Sequence, residues 1–109
     1  MHGRRILVAD DDEYIRQLVS TALTDDGFEV DAAADGEQAW EALNHEHYDL
    51  LVTDNEMPRL AGIKLIERIR KAGMNLSVIV ASGTLSTESA RDNPQLQIAA
   101  VLLKPFSIP

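Results

Sequence analysis

The sequence predicts an α/β domain in which helices pack on both faces of a parallel β-sheet. Apolar runs too short to form helices recur along the chain, at residues 6–9, 50–52, 78–81 and 101–103. Runs this short and this apolar are typical of strands buried on both faces. Segments with helical periodicity lie between them, and strands that alternate with helices over short connections indicate βα units. We therefore expect a doubly wound sheet.

The first strand is followed by a helix and then by a weaker strand. Residues 6–9 end at three consecutive aspartates. Asp12 can cap the helix that follows, and Gly27 supplies a left-handed end to it. The apolar positions of this helix have i, i+3, i+4, i+7, i+8 spacing; they are Ile15, Leu18, Val19, Ala22 and Leu23. Residues 28–33 alternate acidic and apolar side chains, which predicts an edge strand.

Three further segments have helical signals of different strength. Asp35 followed by Gln38 predicts the start of a second helix. A third helix is predicted from about Gly62 to Gly73. Its core-facing residues are Leu65, Ile66 and Ile69. Residues 86–92 predict only a poor fourth helix, because they are polar and an Asn-Pro pair follows.

Length and composition indicate a single folded domain. A chain of 109 residues buries about 65% of its surface on folding, which supports one hydrophobic core. Hydrophobic residues make up 45% of the chain and charged residues 26%, both ordinary for a globular domain. We expect residues 1–109 to form one domain.

Charge and cysteine content exclude several kinds of site. The 18 acidic and 10 basic residues give a net charge of −8, which disfavours direct binding to nucleic acid. The absence of cysteine excludes disulfides and thiolate metal sites and fits a reducing cytoplasm. No apolar run approaches the roughly 18 residues that cross a bilayer, so we expect a cytoplasmic protein without a membrane segment.

Polar residues follow four of the predicted strands. Asp10 and Asp11 follow the first strand, Asp54 the third, Ser82 the fourth and Lys104 the fifth. Reactive groups in a doubly wound sheet lie beyond the carboxyl ends of its strands, so these side chains should share one edge. Crowded carboxylates repel one another, and their oxygen atoms are ligands that Mg²⁺ prefers. We therefore predict a magnesium site at this edge.

Beside such a metal, Asp54 could act as a nucleophile toward phosphorus and form an acyl phosphate. The metal and Lys104 would neutralise charge on the transferred phosphoryl oxygens, and Ser82 could donate a hydrogen bond to them. Pro105 follows Lys104 and indicates a fixed turn that orients the Lys104 ammonium toward the site.

Four segments carry a resemblance to a known family. They read ILVADDD at residues 6–12, LLVTDNEMP at 50–58 with Gly62 beyond it, VAS at 80–82 and LKPF at 103–106. With all four in this order, each at a strand end, the chain resembles the receiver domain of two-component response regulators along essentially its whole length.

The resemblance implies roles for the residues of the acidic site. Asp54 would be the phosphoacceptor, receiving a phosphoryl group from a histidine of a sensor kinase or phosphotransfer protein. Asp11 and Asp54 would bind Mg²⁺ directly, Asp10 mostly through water, and Glu56 through its backbone carbonyl.

The same resemblance implies the fold and the kind of function. The fold would be a flavodoxin-like sheet of five strands in the order 2-1-3-4-5. Ser82 would be the switch hydroxyl, and Lys104 would bind a phosphoryl oxygen. The domain would then be a phosphorylation-controlled switch that assists its own phosphorylation and dephosphorylation, and not a turnover enzyme.

The sequence departs from the family pattern near its end. Receivers usually carry Tyr or Phe three residues before the lysine, whereas this chain has Val101, a β-branched residue with few rotamers. We hypothesise that backbone motion of residues 83–94 carries the switch instead, because that stretch is polar and poorly helical. Residues 106–109 resemble only the start of a fifth helix, so we expect a C-terminally truncated domain with an output domain beyond residue 109.

Three other functions would each need features that differ from those of this sequence. A haloacid-dehalogenase-like aspartyl phosphatase also uses Mg²⁺ and an acyl phosphate. That family, however, places its nucleophile after the first strand and a second aspartate two residues on, where this chain has Glu56 after Asp54. A flavodoxin-type cofactor binder would need a Ser/Thr/Gly-rich phosphate loop after strand one, where this chain has aspartates. A degenerate receiver that only binds partners would not need the complete set of site residues.

Overall fold

A five-stranded parallel sheet organises the computed structural model, which describes residues 4–82 and 92–103. The strands lie in the order β2-β1-β3-β4-β5, so the strand order 2-1-3-4-5 is confirmed. The elements along the chain are β1 (Arg5–Ala9), α1 (Glu13–Asp25), β2 (Glu29–Ala33), α2 (Gly36–His45), β3 (Leu50–Asp54), α3 (Gly62–Lys71), β4 (Ser77–Ser82), a 3₁₀ turn (Pro94–Leu96) and β5 (Ile98–Leu103).

The last strand begins earlier than its apolar run predicts. β5 starts at Ile98, three residues before the predicted start at Val101. The added residues pair with β4 across a register shift between Val78 and Ile79, and it is this pairing that makes them a strand. The weak fourth helix predicted at residues 86–92 lies outside the described residues, except for Asp92, which is helical.

The core lies between the sheet and the helices α2 and α3. Alternate residues of the central strands point to this face and are fully or nearly fully buried; they are Leu7, Ala9, Leu51, Val78 and Val80. The predicted inward residues of α3 pack against them and are likewise buried; they are Leu65, Ile66 and Ile69. Packing on this face therefore fixes α2 and α3 against the sheet.

The other face of the sheet is covered less completely by the described residues. None of the residues of α1 is fully buried, although its apolar stripe has the predicted spacing. Leu23 of α1 lies beside Ile6 and Leu50, which point away from the main core. Among the described residues, α1 is the helix that packs on this face, and no second helix lies beside it. The apolar stripe of α1 therefore stays half-exposed.

Capping residues begin and end the helices where the sequence predicts. The Asp12 carboxylate accepts hydrogen bonds from the first turn of α1, and the Asp35 carboxylate accepts one of 2.8 Å from the Gln38 N–H. Gly27 and Gly73 follow α1 and α3 with φ of 95° and 77°, values that favour glycine. Within the residues that the structure describes, no helix has both the length and the apolar character needed to span a bilayer.

Candidate functional site

The loop after β1 places two aspartates at the carboxyl edge of the sheet. Asp10 is 3% exposed, and its N–H donates a 3.1 Å hydrogen bond to the Ala33 carbonyl at the end of β2. Its Oδ1 accepts a 2.9 Å bond from the Asp12 N–H, which turns the chain into α1. Asp11 is exposed. One carboxylate is therefore held rigidly under the loop, while the other lies open to solvent.

β3 brings a third carboxylate to the same place. Asp54 is the last residue of β3 and only 4% exposed, and its Oδ1 accepts a 3.3 Å hydrogen bond from the Glu56 N–H. Oxygen atoms of Asp10, Asp11 and Asp54 all lie within 4.8 Å of one another. The sequence prediction that these three side chains meet at one sheet edge is confirmed.

The donor set of this cluster fits a hard divalent cation. Ligand oxygens on opposite sides of a Mg²⁺ ion are about 4.2 Å apart, because each Mg–O distance is about 2.1 Å. The carboxylates of Asp10, Asp11 and Asp54 each supply oxygen, and their separations of at most 4.8 Å are compatible with ligands of one such ion. Without a cation, three like charges at this separation repel one another.

Arg16 is a part of the site that the sequence reasoning missed. Its Nη1 donates a 2.8 Å hydrogen bond from the first turns of α1 to the backbone carbonyl of Asp10. A cation near a helix N-terminus is unfavourable unless something else compensates it. That mismatch is the one signal in the sequence that could have pointed to Arg16.

The loop from β3 to α3 runs directly past the cluster. Glu56 is exposed, two residues after Asp54. Asn55 accepts hydrogen bonds from the N–H groups of Gly62 and Ile63 at the start of α3. The backbone next to Asp54 is thereby joined to the start of α3, a link that no sequence motif indicated.

The register of the sheet places the fourth and fifth strand ends at this edge. Asp54 pairs with Ala81, and the next residue of β4, Ser82, pairs with Leu103 of β5. The backbone of Ser82 is therefore at the carboxyl edge, one position beyond the partner of Asp54. The Ser82 side chain, all of Lys104 and residues 83–91 of the proposed switch segment at 83–94 lie outside the described residues.

Comparisons with known proteins give a consistent result. The family model described as "Response regulator receiver domain" matches residues 6–109. The Regulator of RpoS from Escherichia coli (strain K12) is 36% identical over 103 residues, which are 94% of this chain and 31% of that protein. The chain thus spans about a third of the length of this relative.

Two solved structures are similar in both sequence and fold. The Francisella response regulator 1452 receiver domain has a TM-score of 0.89 and 37% identity, covering 96% of this chain and 87% of that one. Response regulator protein TrrA from Thermotoga maritima, in complex with Mg²⁺-BeF, has a TM-score of 0.82 and 31% identity, covering 95% and 89%.

These matches give no support to the haloacid-dehalogenase-like alternative. Receiver domains bind Mg²⁺ at an acidic site and interact with histidine kinases or phosphotransfer proteins. Since the family model covers nearly the whole chain, and since the strand order and acidic edge agree with it, the chain belongs to the response regulator receiver domain family.

Proposed function

We propose that Asp54 accepts a phosphoryl group from a phosphohistidine of a partner kinase or phosphotransfer protein. One observation supports this more than any other. A nearly buried carboxylate at a strand end lies within 4.8 Å of two further carboxylates that come from a different loop. That arrangement is costly without a cation and suited to phosphoryl chemistry with one.

In the proposed step, an Asp54 carboxylate oxygen attacks the phosphorus of the phosphohistidine. The new P–O bond forms as the P–N bond breaks, and the imidazole leaves with the electron pair of that bond. The product is an acyl phosphate on Asp54, which water later hydrolyses to inorganic phosphate and the free carboxylate. We propose that the domain assists both of these reactions.

Asp10, Asp11, Asp54 and the Glu56 carbonyl would hold Mg²⁺, with Asp10 acting mostly through water. When bound, this ion would supply charge neutralisation for the phosphoryl oxygens. Asp10 is fixed by its hydrogen bonds to Asp12 and Ala33, so its carboxylate is oriented before any ligand arrives. Such pre-orientation is what electrostatic stabilisation of a transferred group requires.

Ser82 and Lys104 complete the proposed site. Ser82 would donate a hydrogen bond to the phosphoryl group, and Lys104 would bind one of its oxygens. The added negative charge and acceptor oxygens would bias a two-state segment, which we place at residues 83–94 because Val101 has no aromatic ring to reorient. An output domain beyond residue 109 and a cytoplasmic location belong to the same proposal.

Intact-mass measurement after incubation with acetyl phosphate and Mg²⁺ tests this function. We expect one acid- or base-labile phosphoryl adduct on the wild type and none on Asp54→Asn. Asp25→Asn, an equal charge change at the far end of α1, is the matched control and should be phosphorylated like the wild type. An adduct on Asp54→Asn, or none on the wild type, would refute the proposal.

A further inference from the structure

The helix α3 begins without a capping side chain of its own. The residue at the N-cap position is Ala61, which is extended and has no side-chain oxygen. The first N–H groups of a helix have no partners within the helix and must find acceptors elsewhere. The acceptors for the first two residues of α3 therefore come from outside the helix.

Asn55 supplies both of these acceptors. Its backbone carbonyl accepts a 3.0 Å hydrogen bond from the Gly62 N–H, and its side-chain Oδ1 accepts a 3.0 Å bond from the Ile63 N–H. Asn55 is half-buried and directly follows Asp54 in the sequence. One residue next to the phosphoacceptor thus caps a helix that starts seven residues later.

The cap also fixes the backbone on both sides of Asn55. On one side, the first residue of α3 packs so closely on Asp54 that a Cβ atom on Gly62 would lie 2.4 Å from the Asp54 carbonyl oxygen. On the other side, the Glu56 N–H donates to the Asp54 carboxylate at 3.3 Å. The peptide groups from Asp54 to Glu56 are therefore positioned by where α3 begins.

We infer that Asn55 is a positioning residue, whose side-chain hydrogen bond to α3 sets the metal affinity of the neighbouring acidic site. This inference rests on the function proposed above. Asn55 need not contact the metal or the phosphoryl group. Its side chain holds residues 54–56 against α3, so that the Asp54 carboxylate and the Glu56 carbonyl are presented together. Its loss would release that backbone and weaken Mg²⁺ binding.

Removal of the amide tests the inference. We expect Asn55→Ala to weaken Mg²⁺ affinity about three- to tenfold, measured by calorimetric titration of Mg²⁺ without any phosphodonor. We also expect it to lower stability in urea. Asn55→Asp keeps the acceptor for the Ile63 N–H and should retain wild-type stability and at least wild-type Mg²⁺ affinity. Asn55→Asp binding Mg²⁺ as weakly as Asn55→Ala would contradict the inference.

A second-site change separates positioning from simple capping. Ala61→Ser places a capping hydroxyl at the N-cap itself, and the single variant should bind Mg²⁺ like the wild type. In Asn55→Ala/Ala61→Ser we expect stability to return while Mg²⁺ affinity stays low, because α3 is capped but no longer tied to residue 55. Recovery of both quantities would show that Asn55 acts only as a cap, and the inference would be wrong.

The acetyl phosphate reaction distinguishes failure of this inference from failure of the proposed function. With Asn55→Ala, the Mg²⁺ concentration for half-maximal phosphorylation should rise, while the rate at saturating Mg²⁺ should change little. If the wild type binds Mg²⁺ but is never phosphorylated, the proposed function is wrong. The role of Asn55 is then still tested by comparing the Mg²⁺ affinities of the wild type and Asn55→Ala. Equal Mg²⁺ affinities in wild type and Asn55→Ala would overturn the inference alone.

Discussion

Gly62, the first residue of α3, rests directly on the backbone of Asp54, since a Cβ atom added to it would lie 2.4 Å from the Asp54 carbonyl oxygen. Backbone atoms cannot yield to such a contact as a flexible side chain can. We expect Gly62→Ala to force α3 away from the loop and to lower the free energy of unfolding by about 1–3 kcal/mol. Phosphorylation by acetyl phosphate should slow as well, because Asp54 moves with the loop.

Gly73 provides the control for this prediction at the other end of α3. It has φ of 77° and no atom within 4 Å of an added Cβ. Gly73→Ala should therefore cost about 1 kcal/mol of backbone strain and leave the phosphorylation rate unchanged. Urea denaturation and intact-mass time courses give the two quantities. Equal phosphorylation rates in Gly62→Ala and Gly73→Ala would contradict the link between Gly62 and the site.

Removal of one charge from the acidic cluster should stabilise the metal-free protein. Asp11 is the exposed member, so Asp11→Asn relieves repulsion from Asp10 and Asp54 without disturbing a buried group. We expect a gain of roughly 1 kcal/mol in metal-free buffer, the value for charges about 4 Å apart in water, because Asp11 is exposed. Added Mg²⁺ should stabilise the wild type with the logarithm of its concentration once that exceeds the dissociation constant, and should stabilise Asp11→Asn much less.

Thermal or urea denaturation with and without Mg²⁺ measures both effects. Glu41→Gln removes the same charge from the exposed face of α2, outside the cluster, and should change neither stability nor the Mg²⁺ response appreciably. If Mg²⁺ stabilised Asp11→Asn as much as the wild type, Asp11 would not be a ligand.

Tyr48 should contribute a pH-dependent part of the stability. It is 4% exposed, and its hydroxyl donates a 2.7 Å hydrogen bond to the Asp31 carboxylate in β2. Burial, the hydrogen bond to Asp31 and the nearby negative charge raise the pKa of Tyr48 well above its ordinary value of 10.0. The neutral phenol is thus favoured in the folded state. Its contribution is complete below pH 10 and is lost as pH rises above that value.

We expect Tyr48→Phe to lower the free energy of unfolding by about 1 kcal/mol at neutral pH. The difference from the wild type should shrink above pH 10. There Tyr48 ionises in the unfolded wild type but stays neutral in the folded one, which lowers the stability of the wild type alone. Tyr14→Phe is the control, since Tyr14 is 71% exposed and its loss should be neutral. A Tyr48→Phe difference independent of pH would contradict this account.

Arg70 ties α3 to two segments that are distant from each other in the sequence. Its Nη1 donates 3.0 Å hydrogen bonds to the Met74 and Leu76 carbonyls, and its Nε donates one of 2.9 Å to the Leu96 carbonyl. Burial lowers the pKa of Arg70, and the backbone carbonyls compensate its charge. Arg70→Met should lower the free energy of unfolding by about 2–3 kcal/mol, because these carbonyls lose a charged donor.

The neighbouring residue supplies the comparison for Arg70. Lys71 is exposed on the same helix turn, so Lys71→Met should change stability by no more than about 0.5 kcal/mol. Arg70→Lys should recover only part of the loss, because an ammonium lacks the planar fork that reaches carbonyls on two sides. The midpoint of urea denaturation measures all three variants. Equal midpoints for Arg70→Met and Lys71→Met would show that this contact contributes nothing.

Much of the fold was predictable because its determinants are local. Short apolar runs separated by helical periods predicted the β1, β3 and β4 positions to within one or two residues at each end. Asp12, Asp35 and Gly27 act within one helical turn, and each was found in its predicted role. The bounds of β5 were not predictable, because pairing with β4 and not an apolar run makes its first residues a strand.

The positions of the acidic residues were predictable for a related reason, whereas the hydrogen bonds that hold the surrounding loops and helices were not. In a parallel sheet the carboxyl ends of the strands share an edge, so residues that follow strands meet whatever their separation in sequence. Asp10, Asp11 and Asp54 therefore followed from the sequence alone, while the roles of Ser82 and Lys104 stay predictions. Only the tertiary structure decided that Arg16 binds the Asp10 carbonyl, that Asn55 caps α3 and that Arg70 reaches Leu96. Each of these contacts joins a side chain to a backbone group that any residue could supply, and such a partner leaves no pattern in the sequence.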